Sequence, residues 1–548
     1  MKRTLTWLKK HPVDFLSVLI LLCVLVLALQ TTRNAANILD SDTSSELVLA
    51  HLLNEQGGIL SADWGYSTEL RVINTNLIYA PLFSLFHSWH TVRVAGSLIM
   101  QLFLLLSWFF LGRQLGCRLR GLCLGGALLL LPMSIGWGRI VLYGCYYMPH
   151  ITQCFLLTGG FLLWGKCRRQ RSRILLGIAL FLGAVLAGTG GVRQLMNTAL
   201  PLVLAVALRF LLNPADLQRL KREALPCLLI ALGCLIGYLI CSKLLMQRYV
   251  TRNDYTAQST GLATADGVWE ILTSWLKQFG LSEGVAVFSL YGLIGLAAAA
   301  AGVAVPCLAV FALRRRVQGA KGFAAAFMVS SLTVSAAVFL LLSAVTADCV
   351  RFWLVPFAWV IPFLMTPEAR EDLPEAAGKF CLTPRRLFSG FAAVTLLLSG
   401  VSRTVFFAHP DSSPLPYDAL FYDDPLQRQH LEGAVSYMKE QGVTLCLCLG
   451  AADCWGGNVI TEMSDGQIAT SVLYYREDEI RRSLNDRRIL SDPSQLEDPG
   501  FCVLILNLET EAFLSSDYNR DMQIVYQDDF FTVMRCSDPV EVFGAACR

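Results

Sequence analysis

Charged side chains are scarce: Asp, Glu, Lys and Arg make up 16% of the 548 residues, against 54% hydrophobic. A chain so poor in charge cannot clothe one water-soluble globule of this length. The net charge is only +3, and the basic residues fall in short clusters between apolar runs. Without a continuous basic stripe, nucleic-acid binding is excluded. Heptads, solenoid periods and low-complexity tracts are absent, which removes coiled coils and repeat arrays. The segment after residue 405 carries no Ser/His/Asp arrangement, H-E-x-x-H run or C-x-x-C pair, so it offers neither a hydrolase centre nor a zinc site.

Apolar runs are plentiful. Those near 13–30, 91–112, 121–138, 146–165, 174–190, 195–212, 226–245, 284–313, 322–345, 351–366 and 387–404 are each long enough, or nearly so, to cross about 30 Å of hydrocarbon. The expected fold is an α-helical polytopic membrane protein of about eleven spans. Lys2, Arg3, Lys9 and Lys10 precede the first run, which reads as an uncleaved signal anchor. Arg113, Arg118 and Arg120, the cluster Lys166 to Arg173, Arg219 to Arg222, Arg314 to Arg316, and Arg385 with Arg386 all fall on the N-terminal side of that alternation. The positive-inside rule then predicts a multi-pass protein of the cell membrane with a cytoplasmic N-terminus and an extracytoplasmic C-terminus. A membrane module is expected over 1–404, with outer loops 31–90 and 246–281, and a small extracytoplasmic α/β domain over 405–548.

Of the eighteen cysteines, many sit inside apolar runs and act as small hydrophobes. Only the set Cys446, Cys448, Cys454, Cys502, Cys536 and Cys547 is available for bridges in the outer compartment. Val268, Leu272, Trp275 and Phe279 recur at helical spacing, flanked by Trp269 and Leu276, and predict an amphipathic helix against either the bilayer or the protein itself. In the C-terminal domain a helix is expected from about Pro425 to Gln441. Strands are expected at 443–449, 502–506, 523–526 and 530–535, with a hairpin turn at Asp528-Asp529.

Chemistry concentrates just beyond the first span. Asp40, Asp42 and Glu46, followed by Asp63 and Glu69, are delivered to the outer face. If Asp42 opens a helix, Glu46 at i+4 shares its side, next to Ala50. Arg71, Arg93, Arg139, Arg193 and Arg351 are expected at the same boundary, where guanidinium groups suit a phosphate. Arg139, Tyr143, Tyr146, Tyr147 and His150 occupy one loop and suit phosphate and sugar binding. The turn Gly188-Thr189-Gly190-Gly191-Val192-Arg193 lacks the lysine of a nucleotide-binding P-loop. Trp455, in the Gly450 to Asn458 loop, is a candidate for stacking on a sugar ring.

An Asp a few residues past the first span, a following Glu and then Ala, an interfacial apolar stretch over 72–89, many spans and an external C-terminal domain together resemble the type-C membrane glycosyltransferases. The resemblance spans the whole layout, but its sharp part is confined to residues 40–94. It implies a hexosyl- or pentosyl-transferase that takes a polyprenyl-phosphate-linked sugar in a lipid bilayer and passes it to an extracytoplasmic acceptor: a cell-envelope glycan, lipid or protein. It would make Asp42 the catalytic base, with Glu46 beside it. Substrate contacts would then be expected from Asp40, Glu69, Arg71, Arg139, Tyr146, His150, Arg193 and Arg351. Several families of this type place a second acid between the third and fourth spans, and Gly136 to His150 contains none. A divalent cation is therefore compatible with the sequence without being required, and no metal ligand set is assigned. The competing reading from another class is a transporter or flippase of a lipid-linked precursor, which would use the arginines without an outer base.

Overall fold

The computed structural model describes residues 12–34, 39, 41–66, 70, 72–251, 264–281, 285–341, 353–367, 384–408, 426–449, 457–476, 479–482, 486–489, 491, 493–497, 500–516 and 522–543. Its membrane module is helical: α1 Pro12–Arg33, α2 Ser41–Gln56, α3 Asn76–Phe83, α4 Trp89–Gln114, α5 Leu119–Leu130, α6 Ile135–Leu142, α7 Met148–Lys166, α8 Gln170–Gly188, α9 Val192–Leu212, α10 Leu217–Leu245, α11 Ala265–Gln278, α12 Leu290–Arg314, α13 Gly319–Leu341, α14 Leu354–Met365 and α15 Pro384–Ala408. Eight of these, α1, α4, α8, α9, α10, α12, α13 and α15, contain stretches long and apolar enough to cross a membrane. The fold is that of an α-helical polytopic membrane protein.

Two of the expected spans differ from single long helices. The run 121–138 breaks because Leu131, before Pro132, takes an extended backbone, and Ser134 then caps a new helix by accepting from the Trp137 amide at 3.0 Å. The run 351–366 yields the 12-residue α14, which is buried within the bundle. There Trp359 stacks on Phe327 with ring centroids 4.0 Å apart.

Contacts sort the helix ends into two sets. At one end Lys166 donates to the Gln114 carbonyl at 2.7 Å, Arg219 to the Gln318 amide oxygen at 2.6 Å, and Lys321 to the Phe363 carbonyl. At the other, Gln101 donates to Thr32, Trp353 to Ser274, and Arg403 to the Gly280 carbonyl. Basic clusters therefore gather at one end, as the charge alternation requires, while α2, α3 and α11 lie at the other.

Helices α8 and α10 touch backbone to backbone. A Cβ on Gly237 would collide with the Val185 carbonyl oxygen, and one on Gly188 with that of Cys234. Small residues at such a seam let dispersion contacts replace the hydrophobic drive that lipid does not supply. Helix α11 packs part of its apolar stripe against the protein itself. Ile271, Trp275 and Phe279 are buried, with the Trp275 indole donating to the Gly302 carbonyl at 2.9 Å. Its other side exposes Trp269 (68%) and Leu272 (54%).

The C-terminal domain follows with α16 Leu426–Glu440, β1 Leu445–Leu449, α17 Gly457–Met463, β2 Ala469–Arg476, β3 Glu479–Arg482, β4 Phe501–Leu506, α18 Asn507–Leu514, β5 Met522–Gln527, β6 Phe531–Cys536 and α19 Pro539–Phe543. One mixed sheet has the order β3-β2-β1-β4-β6-β5, with β1 parallel to both neighbours. Every residue of β1 is buried because both faces are covered. Cys446 and Cys448 face Leu431, Val435 and Met438 of α16, and Leu445, Leu447 and Leu449 share the opposite side with Phe513 and Phe543. Cys446, Cys448 and Cys502 are free thiols; Cys454 and Cys547 lie outside the described residues. The expected hairpin turn is present, its Asp528 carboxylate accepting from the Phe530 and Phe531 amides, each at 2.8 Å. Burial and the Asp528 carboxylate push the nearby Tyr526 hydroxyl up to about 12.

The domain sits directly on α2 and the loop after it. Arg488 meets Glu55 at 2.8 Å, and the Arg487 amide donates to the Asp63 carbonyl at 2.6 Å. Asn458 reaches Ser41, and Asp465 accepts from the Trp89 amide at 2.8 Å.

Two outcomes test this packing. Gly237→Ala should destabilise the bundle by roughly 1–3 kcal/mol, the usual cost of overpacking, read as a lower unfolding temperature. In nanodiscs of brominated lipid, Trp269→Phe should remove a quenchable part of the tryptophan emission and Trp275→Phe should not; equal effects would contradict the exposed placement of Trp269.

Candidate functional site

The first two turns of α2 carry the two carboxyl groups singled out by sequence, and burial separates them. Asp42 is exposed. Glu46, four residues on, has none of its surface exposed, so the pair does not present two acids to one solvent face. Both Glu46 oxygens are occupied: the Thr75 hydroxyl donates to one, and the Tyr146 amide to the other at 2.6 Å. Glu46 thus ties α2 to the start of α3 and to the loop between α6 and α7. A buried acceptor holding two donors fixes three segments at once.

Arg93 does similar work from the first turn of α4. It is 1% exposed, and its Nε and one terminal nitrogen donate to the Glu462 carboxylate at 2.5 and 2.6 Å. The remaining donors reach the Thr43 carbonyl at 3.0 Å and the Tyr143 carbonyl at 3.3 Å. Arg93 was expected to hold a phosphate, and this geometry corrects that: the guanidinium is engaged by the C-terminal domain and two backbone carbonyls. Asp63 likewise serves docking, since its carboxylate accepts from Gln56 at 2.8 Å and its carbonyl from Arg487.

The loop 143–147 closes over these clamps. Tyr79 donates toward the Tyr143 and Gly144 carbonyls at 3.2 and 3.3 Å. Gly144 sits at φ 63 beneath Tyr79, Ser97 and Met100, where a Cβ has neither the backbone freedom nor the room. Burial, reinforced by Glu46, pushes the Cys145 thiol up to about 12; Arg139 lowers it and Asp42 raises it. Asp42, Glu46 and the buried Arg139 therefore lie within electrostatic reach of one point.

Further along, the Tyr146 and Tyr147 rings meet at a 39° tilt with centroids 4.1 Å apart and their hydroxyls 2.8 Å apart. The Arg193 guanidinium lies over the Tyr147 ring at 4.5 Å from its centroid. His150, 4% exposed, has Nδ1 3.2 Å from the Gln194 amide nitrogen, which also faces Gln153 at 2.7 Å and the His150 carbonyl. Those acceptors orient the Gln194 amide as the donor and leave the imidazole proton on Nε2. Nε2 itself has no hydrogen-bond partner among the described residues. The fold thus brings Asp42, Glu46, Arg139, Tyr146, His150 and Arg193 to one end of the bundle. Asp40, Glu69, Arg71, Arg351 and Trp455 lie outside the described residues. Sequence reasoning missed Thr75, Gln194 and Glu462, whose partners are distant in the chain. The one local signal was a buried-type arginine at the head of an apolar run. Among the described residues, no group of three or more His, Cys, Asp or Glu side chains is placed to hold a metal ion.

No protein-family model matches the chain, and no curated protein matches its sequence. Among solved structures, ArnT from Cupriavidus metallidurans bound to undecaprenyl phosphate is similar over 94% of this chain and 97% of its own, at 14% identity and a TM-score of 0.49. Likeness at that level assigns no residue a role.

The Glu46 clamp has a measurable consequence. Glu46→Ala strands the Thr75 hydroxyl and the Tyr146 amide, at about 1–3 kcal/mol for each buried donor left unmet, so the unfolding temperature should fall clearly. An unchanged unfolding temperature would show that the clamp does not hold these segments together.

Proposed function

We propose that this protein transfers a sugar from a polyprenyl-phosphate donor to an acceptor hydroxyl on the outer side of the membrane, with Asp42 as general base. The observation that carries the reading is the exposed Asp42 carboxylate, next to a turn that Glu46 and Arg93 hold against the Tyr143–Tyr147 loop. An alcohol is a poor nucleophile until a base takes its proton, and a general base must be both reachable and fixed. Asp42 meets the first requirement by exposure and the second through its neighbours.

In the proposed step Asp42 removes the proton of the acceptor hydroxyl as its oxygen attacks the anomeric carbon. The new C–O bond forms while the bond from that carbon to the phosphate oxygen breaks, and polyprenyl phosphate departs with the electron pair. One displacement inverts the anomeric configuration. Charge grows on the leaving phosphate, so fixed cations and donors near it lower the barrier. Arg193, braced on Tyr147, the Nε2 donor of His150, and Arg139 are assigned that role, with Arg71 and Arg351 as further phosphate ligands. Tyr146, Asp40 and Glu69 are assigned to the sugar and acceptor. Glu46 supports the base by holding the loop, since both of its oxygens are engaged. Whether the sugar is a hexose or a pentose follows from contacts beyond these residues.

The orientation proposed with this chemistry puts the basic helix ends in the cytoplasm and the C-terminal domain outside. Asp42→Asn should reduce transfer by about 100-fold or more, the usual contribution of a positioned base, without changing expression or unfolding temperature. The assay is release of polyprenyl phosphate from the glycosylated polyprenyl phosphates of an expressing membrane. Wild-type turnover in that variant would remove Asp42 from the mechanism.

A further inference from the structure

We propose that Glu462, a residue of the C-terminal domain, is a positioning residue for the reaction assigned to Asp42, acting through Arg93. The inference rests on the proposed role of Asp42, and goes beyond it by making the soluble domain part of the active-site scaffold.

The path is short and dry. Glu462 is 5% exposed and Arg93 1%. Two parallel contacts, at 2.5 and 2.6 Å, fix the plane of the guanidinium against the carboxylate. With that plane set, the outward-facing donors have one place to go: the carbonyls of Thr43 at 3.0 Å and Tyr143 at 3.3 Å. Thr43 adjoins Asp42. Tyr143 opens the loop whose Tyr146 amide is held by Glu46. One carboxylate in the domain therefore helps to set, alongside Glu46, the separation between the proposed base and the loop facing it. A docking contact alone would need none of this, and the domain has others. Asp465 accepts from the Trp89 amide at 2.8 Å, and Arg488 meets Glu55 at 2.8 Å, and neither residue contacts the Tyr143–Tyr147 loop.

Charge makes the arrangement selective. A guanidinium taken out of water without its counter-ion carries a desolvation cost of several kcal/mol, so Arg93 cannot keep its place if Glu462 is neutralised. It would move toward water and release both carbonyls. Glu462→Gln preserves shape and some hydrogen bonding but removes the charge, and Glu462→Asp keeps the charge while drawing the guanidinium toward the domain. Asp465→Gly removes a docking contact and relieves a positive φ of 52, leaving the path through Arg93 untouched.

The experiment compares these three variants with wild type in two measurements. Amide exchange should rise roughly tenfold at 43–47 and 143–147 in Glu462→Gln, while the β1 and β4 amides keep their protection. The rate of polyprenyl phosphate release should show kcat falling about 100-fold and KM for the lipid donor rising far less, as expected when the base is misplaced while Arg139 and His150, which lie off the path through Arg93, keep their places. Glu462→Asp should give the same split in milder form with wild-type unfolding temperature, which covers the case in which the Gln variant folds poorly. Asp465→Gly should leave kcat unchanged. The proposal is overturned if both Glu462 variants keep wild-type exchange and kcat, or if Asp465→Gly reproduces their effect. Should the wild-type protein release no polyprenyl phosphate, the transferase reading fails, and the exchange measurement still decides whether Glu462 orders the two segments.

Discussion

A guanidinium buried at the junction of a membrane bundle and a soluble domain is costly unless it is paired and hydrogen-bonded, and Arg93 meets that condition by drawing on three separate segments. Its carboxylate partner lies 369 residues away in sequence. In addition to the docking contacts at Glu55, Asp63 and Trp89, the two parts of the protein are therefore tied through one buried pair. The α2 turn, the Tyr143–Tyr147 loop and helix α17 take their relative places from it. Glu46 repeats the logic with the opposite charge, bridging 100 residues to the Tyr146 amide and 29 to Thr75. Together the two side chains hold five segments, and both are sealed from solvent.

Much of the membrane module was legible in the sequence because hydropathy over some twenty residues reports directly on burial in lipid. The ends of α1, α4, α7, α8, α9 and α13 fall within a few residues of the apolar runs that predict them. Reading failed where a proline or burial in protein overrides the lipid signal. Pro132 divides one run into α5 and α6, and the 12-residue α14 is buried in protein and not facing lipid. In the soluble domain β1, β4, β5 and β6 were legible from apolar character, whereas β2 was not. Its Thr470 and Ser471 are polar yet buried, and Thr470 is satisfied by the Thr461 hydroxyl at 2.9 Å. A hydroxyl pair made across the fold leaves no trace in local composition.

The site was legible in part. Asp42, Glu46, Tyr146, His150 and Arg193 could be grouped because charge alternation assigns them to one end of the bundle, and chemical type suggests what each can bind. Their division of labour could not be read. Nothing in the i,i+4 spacing says that one acid faces water and the other is sealed, because the sealing comes from Thr75 and Tyr146, which local sequence does not bring near. Arg93 was misread for the same reason: an arginine at a membrane boundary looks alike whether it awaits a phosphate or already holds Glu462.

That division has a physical rationale. A general base must stay ionised and reachable, so it belongs at a surface, where water stabilises its charge and an acceptor can approach. A surface side chain on a short helix, however, has many rotamers and a mobile backbone, and a displacement of about 1 Å can cost two orders of magnitude in rate. The fold reconciles these demands by assigning them to different residues. Glu46 and Arg93 are buried, charged or hydrogen-bonded on all sides, and stiff; Asp42 is exposed and sits one residue from the carbonyl that Arg93 holds. Rigidity is supplied from beneath and reactivity from above, so the soluble domain that provides Glu462 contributes to the turn without having to touch a substrate.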